Sequence, residues 1–203
     1  MGQRNEILRL FVIRYGETDW SVSGQHTGRT DLALTDPGAA QARALAPWLR
    51  AMPFTAVLSS PALRARQTCQ WALADRSSEV VPELAEWDYG DFEGRRTIEI
   101  QRDWPDWSVW RDGSPNGETP EQVAARVDGL LQRLEALRGD VALFTHGQFA
   151  SALAARWIGL PILEGRHFVL SPASVSILGT GLGHPSVRTI ALWNQVPGQS
   201  GFD

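Results

Sequence analysis

Leu8-Arg9-Leu10-Phe11-Val12-Ile13-Arg14-Tyr15-Gly16-Glu17-Thr18 is the stretch on which the reading of this chain turns. An apolar run broken once by Arg9 gives way at Arg14 to a polar, glycine-bearing pentapeptide. That hydropathy predicts a buried β-strand, and the change of composition predicts a loop that starts where the strand ends. The same grammar returns far along the chain, where Val141-Ala142-Leu143-Phe144 runs into Thr145-His146-Gly147. Ligands of α/β sheets gather beyond the carboxyl ends of strands. Arg14-Tyr15 and His146-Gly147 are therefore predicted to converge on one place.

Between and beyond these strands, helices and strands alternate. A Gly-, Ser- and Thr-rich loop runs to Thr35, where Thr35-Asp36-Pro37 supplies a cap and a first-turn proline for a helix to about Arg50. Ala56 to Leu58 reads as a strand, Pro61 to Ala74 as a helix, Glu79 to Val81 as a short strand and Asp88 to Gly94 as an irregular loop. Thr119-Pro120 opens a helix through Arg138, and another runs from about Gln148 to Ile158. Val175 to Leu178 and Val187 to Leu192 extend the sheet toward an edge. The alternation predicts an α/β three-layer sandwich, a mostly parallel central sheet flanked by helices. Its 203 residues suit a single domain, residues 1–203. The tail from Pro197 to Asp203 is expected to be loosely held.

Nineteen Lys and Arg against 23 Asp and Glu leave a formal charge of −4, which offers no field for nucleic acid or an anionic membrane. Any anion must be held by a local pocket. The one cysteine, Cys69, can form neither an intramolecular disulfide nor a multi-cysteine metal site; it suits helix packing in a reducing cytoplasm. The first apolar segment is too short and too charged to span a bilayer and lacks a cleavage site, so a soluble cytoplasmic protein is expected. Oligomeric state is open, a homodimer included. Trp104, Trp107 and Trp110, spaced by three, are read either as one face over a pocket mouth or as packing surface.

Arg14 and Arg64 form a candidate bidentate clamp for a dianionic phosphate. The helix start after Ser60 would add free N–H groups and a favourable dipole. Each candidate has a plainer reading: Arg64 as an exposed helix residue, His146 as a core histidine, Glu86 as a solvated loop carboxylate. Gly147 leaves room for a ligand to approach closely.

Taken together the segments are more specific. Arg14-Tyr15-Gly16-Glu17-Thr18, Trp20 to Gly28, Ser59 to Thr68, Glu86 to Gly94, Asn116 to Thr119 and Thr145-His146-Gly147 resemble, in order, the motifs of the histidine phosphatase, or phosphoglycerate mutase-like, superfamily. Within it, the wording around Trp20, Glu86 and Trp110 to Gly113 most resembles the fungal sedoheptulose-1,7-bisphosphatase branch. The resemblance implies a phosphatase acting on a small phosphorylated sugar or related metabolite without metal or organic cofactor. A phosphoglycerate mutase is a weaker alternative because long insertions are lacking. The implied catalytic residues are Arg14, Arg64, Glu86 as acid and base, His146, and position 15 as nucleophile. The implied substrate-binding residues are Arg14, Thr18, Ser21, Gln25, Thr27, Gly28, Arg64, Glu86, Tyr89, His146, Gly147 and Gln148. No arginine follows His146 closely enough to take a second phosphate; Arg95 and Arg96 are more suited to the surface.

At position 15 the family carries the histidine that receives the phosphoryl group, and this chain carries tyrosine. A phenol is ionised to about one part in a thousand at pH 7, and its oxygen reaches further than an imidazole nitrogen. Hydrolysis is therefore expected to be severely impaired. Three readings stay open: a variant or engineered form of a working phosphatase, a native pseudophosphatase that binds a phosphorylated ligand or inorganic phosphate, and a substitute nucleophile. His26, on a loop expected to be mobile, is a fourth candidate nucleophile.

Overall fold

The computed structural model describes residues 7–74, 76–181 and 184–197. Most of the tail expected to be loosely held, residues 198–203, lies outside the described residues. Six strands form one sheet among them: β1 (Arg9–Arg14), β2 (Ala56–Ser59), β3 (Glu79–Val80), β4 (Asp140–Thr145), β5 (Val175–Gly181) and β6 (His184–Gln195). Their order is β3-β2-β4-β1-β5-β6. The first four run in parallel, and β5 lies antiparallel between β1 and β6. The sheet is mixed, mostly parallel and flanked by helices, as expected.

Side chains of β1 alternate across the sheet. Leu10 and Val12 face one layer, Phe11 and Ile13 the other, and none is more than 1% exposed. On the first side lie α7 (Pro120–Leu134) and α8 (Gly147–Trp157), packed through Val123, Val127, Leu130 and Leu153. On the second lie α2 (Asp36–Ala44), α3 (Ala46–Arg50) and α4 (Leu63–Leu73), with Leu49, Cys69 and Leu73 inward. Each such aliphatic side chain contributes about 1.5–3 kcal/mol. Cys69 is packing material, and burial pushes its thiol up to about 11. Arg9, the charge inside the first apolar run, pairs through Nε and Nη2 with both oxygens of its register partner Asp140, at 2.7 and 2.6 Å.

Some boundaries differ from expectation for local reasons. The loop before Thr35 contains α1 (Asp19–Ser23), nucleated by a Thr18–Ser21 capping box. The helix from Asp36 breaks at Leu45 because Pro47 has no N–H for the carbonyl of Arg43. Likewise α7 stops at Leu134 rather than Arg138: the Arg138 guanidinium takes the carbonyls of Glu135 and Leu137, and Gly139 turns the chain at φ 77°. The loop from Asp88 contains a 3₁₀ turn at Gly90–Phe92. Two short helices, α5 (Thr97–Asp103) and α6 (Val109–Asp112), follow that turn before α7. No helix among the described residues is long and apolar enough to cross a membrane.

Candidate active site

Strands β1 and β4 end side by side. Arg14 lies opposite Thr145, the Tyr15 N–H donates to the Thr145 carbonyl at 3.1 Å, and the Ser60 N–H beyond β2 donates to Phe144 at 2.9 Å. Loops from three strands thus meet at one end of the sheet, beside a cleft of about 330 Å³. That volume suits a small metabolite.

Tyr15 stands at the centre. The guanidinium carbons of Arg64 and Arg14 lie 5.1 and 5.6 Å from its ring, and the His146 ring lies at 5.3 Å. Arg64 is fully buried, its Nη1 donating to Thr30 and its Nη2 to Thr27 and Gly28 carbonyls at 3.0–3.1 Å. Arg14 Nη1 donates to the Leu170 carbonyl. Arg14 Nε, Arg64 Nε and His146 Nδ1 are buried without a hydrogen-bond partner. Each costs about 1–3 kcal/mol when left so, and native interiors hold few of them. Three around one ring make a setting suited to an anion, with a phenol ring in its midst.

His146 is fully buried. Burial first, then Arg64, Arg126 and Arg14, holds its pKa well below the usual imidazole range, so the ring is neutral. Ser60 Oγ lies 2.7 Å from Nε2 and also receives the Ala62 N–H at 3.3 Å. In the tautomer where the serine hydroxyl donates to Nε2, the ring proton sits on Nδ1, the unpartnered atom.

Glu86 caps the first turn of α8. Its Oε1 accepts from the N–H groups of Phe149 at 2.8 Å and Trp87 at 3.0 Å, and its Oε2 from Gln148 at 3.0 Å. Burial nevertheless raises its pKa, outweighing those bonds and the charge of Arg64. A frame unforeseen from sequence surrounds it: Arg126 donates to the carbonyls of Glu83, Ala85 and Glu86 and pairs with Glu118 at 2.8 Å. Glu93 similarly holds the N–H groups of Gly28 and Thr30. These partners are backbone groups of distant segments, which leave no spacing signal.

Of the residues expected at the site, Arg14, Tyr15, Ser21, Gln25, Thr27, Glu86, Tyr89, Gly147 and Gln148 line the cleft. Tyr89 donates its hydroxyl proton to Gln148 Oε1. Thr18 does not line it: fully buried, its Oγ1 receives the Ser21 N–H. Gly28 and His146 border a second cavity of about 500 Å³, which Glu86 also reaches, and Arg64 borders neither. The start of α4 is not open to an anion, because the Leu63 N–H donates to Asp31 Oδ1 at 2.6 Å.

Trp110 lines the cleft, Trp107 is core and Trp104 is 41% exposed; α5 ends before them and α6 begins among them, so they share no helical face. Arg95 and Arg96 pair with Asp103 and Glu99 away from the cleft. His26 is pinned rather than mobile: it stacks on Tyr89 at 4.6 Å, Nε2 is 3.1 Å from Thr97 Oγ1, and burial lowers its pKa to about 4. Trp20, Arg166 and Phe168 line the cleft without having been foreseen. No group of three or more His, Cys, Asp or Glu among the described residues is placed to hold a metal ion.

The sequence profile of the histidine phosphatase superfamily (branch 1) matches residues 10–193. An acid phosphatase of Mycobacterium tuberculosis is 41% identical over 196 residues, 95% of this chain and 94% of its own. A sedoheptulose 1,7-bisphosphatase of Saccharomyces cerevisiae is 35% identical over 76% of this chain and 69% of its own. The solved structure of an M. tuberculosis open reading frame superposes with TM-score 0.86 at 38% identity, covering 96% of this chain and 100% of that one. A mycobacterial glucosyl-3-phosphoglycerate phosphatase complexed with VO3 gives 0.80 at 28% identity, covering 92% and 98%. With the profile matched over nearly its whole length and a relative 41% identical over 95% of it, the chain belongs to the histidine phosphatase superfamily, branch 1.

Proposed function

We propose that this is the site of a phosphomonoester hydrolase for a small phosphorylated sugar or related metabolite, silenced in this chain by Tyr15. Family membership and the relatives indicate phosphatase activity on phosphorylated metabolites. The observation that carries the finer reading is the set of three unpartnered buried nitrogens around the Tyr15 ring.

With histidine at position 15, a neutral imidazole nitrogen attacks phosphorus in line and the bond to the leaving oxygen breaks. The two arginines neutralise charge on the phosphoryl oxygens through their Nε–H groups, and the neutral His146 ring donates a hydrogen bond to them from Nδ1–H. Glu86, whose raised pKa keeps a protonated fraction available, gives its proton to the leaving alkoxide. As carboxylate it then takes a proton from water, whose oxygen attacks phosphorus and releases phosphate from the histidine.

In this reading tyrosine does not play the imidazole's part, because a phenol is almost wholly protonated near neutral pH. Its ring lies 5.1 to 5.6 Å from the two guanidinium carbons and the His146 ring, which also weighs against a pure phosphate binder, since such a protein needs the space between those groups open. The His26 alternative is weakened by Nε2 being engaged with Thr97. Side-by-side assay of this chain and Tyr15→His on sugar phosphates and p-nitrophenyl phosphate tests the reading. Turnover by the histidine form alone supports it. Equal activity of both forms overturns the mechanism, and inactivity of both overturns the assignment.

A further inference from the structure

Accepting that phosphatase reading, we infer that Arg166 takes a second anionic group of the substrate, so that the preferred substrate carries a phosphate or carboxylate beyond the scissile phosphate. Among the charged side chains bordering the cleft, Arg14 and Glu86 belong to the reacting end and His26 is neutral, which leaves Arg166 as the other cation. It sits in a 3₁₀ segment, Ile162–His167, four residues before Leu170, whose carbonyl holds Arg14. One strap therefore carries both the anchor of the clamp and this second charge.

The strap is held firmly. A Cβ on Gly165 would come within 2.4 Å of the Trp110 ring, and the Ser151 hydroxyl donates to the Phe168 carbonyl at 2.5 Å. Arg166 Nε donates to His167 Nε2 at 3.1 Å, and that ring lies 3.2 Å from Glu164. The two terminal nitrogens have no hydrogen-bond or ion-pair partner among the described residues. Arg95, Arg96 and Arg111, on the segment between Gly94 and Gly117, are by contrast each closed by a carboxylate. A guanidinium with one edge fixed and the other directed to no protein acceptor suits recognition of phosphate or carboxylate.

The test compares Tyr15→His with Tyr15→His/Arg166→Gln on two ligand pairs: fructose 1,6-bisphosphate against fructose 6-phosphate, and 3-phosphoglycerate against glycerol 3-phosphate. The expected result is that Arg166→Gln cuts the preference for the two-anion member, read as the ratio of KM values, about tenfold. Loss in the first pair alone names a second phosphate, and loss in the second alone names a carboxylate. An unchanged ratio in both pairs overturns the inference while leaving the phosphatase reading intact. Should Tyr15→His hydrolyse none of the four, that reading fails, and calorimetric affinities of the same ligands decide the Arg166 question by the same ratios.

Discussion

The Tyr15 ring meets the His146 imidazole edge-on, with centroids 5.3 Å apart and planes at 66°, and the Nδ1 of that imidazole is buried without a partner. A 5%-exposed phenol thus lies where three donors of the site converge. Tyr15→Ala should therefore lower Tm, because a buried ring is lost, yet raise affinity for inorganic phosphate at least about tenfold. Added phosphate should restore part of the Tm by mass action. Phosphate affinity no better than in the present chain would show that the ring does not block the clamp.

Ser60 Oγ lies 2.7 Å from His146 Nε2, and under the proposed mechanism it acts through that ring. In the Tyr15→His background, Ser60→Ala should lower kcat about 10- to 100-fold with little change in KM, and Ser60→Thr should retain most of the activity. Nitrogen chemical shifts of His146 provide the decisive readout: the Nδ1–H form should dominate with serine and give way to a mixture with alanine. An unaltered tautomer in Ser60→Ala would make the serine merely structural.

Glu86→Gln in the same background should lower kcat on sugar phosphates by about 10²- to 10⁴-fold, and less on p-nitrophenyl phosphate, whose weakly basic leaving group needs no proton. With Glu86 in place, activity should fall as pH rises through its elevated pKa, since the acid is then lost. A pH profile identical in the glutamine variant would remove Glu86 from the proton-transfer role.

His26 and His146 both have pKa values lowered by burial. The unfolded chain therefore binds their protons first as pH falls below about 6.5, and each group then erodes stability by roughly 1.4 kcal/mol per pH unit. For His26 that loss runs down to about pH 4. The raised pKa of Glu86 works in the opposite sense above its unfolded value near 4.5. Urea titrations at pH 7, 6 and 5 should show falling stability, with a shallower slope in His26→Phe, which keeps the stack on Tyr89. An equal slope in that variant would mean that His26 does not titrate in this window.

Much of this site is legible in the sequence alone. Arg14, Tyr15, His146 and Gly147 each follow an apolar run, and a parallel sheet brings such positions together whatever the helices do. Glu86 was legible only through the wording around it, because its partners in α8, Gln148 and Phe149, lie 62 and 63 residues later in the chain. Arg64 was expected to hold an anion with the help of a free helix start. Asp31 caps that start instead, and the terminal nitrogens of Arg64 are spent on loop carbonyls, leaving Nε as its free donor.

The sequence by itself determined the alternation of elements, the family resemblance and the oddity of tyrosine at position 15, because hydropathy period and motif wording are local properties. Only the tertiary structure decided that the Tyr15 ring stands amid three unpartnered buried nitrogens, that Ser60 meets His146 Nε2, and that Arg166 borders the cleft. Those relations depend on which distant backbone groups satisfy each side chain, and long-range packing alone settles that.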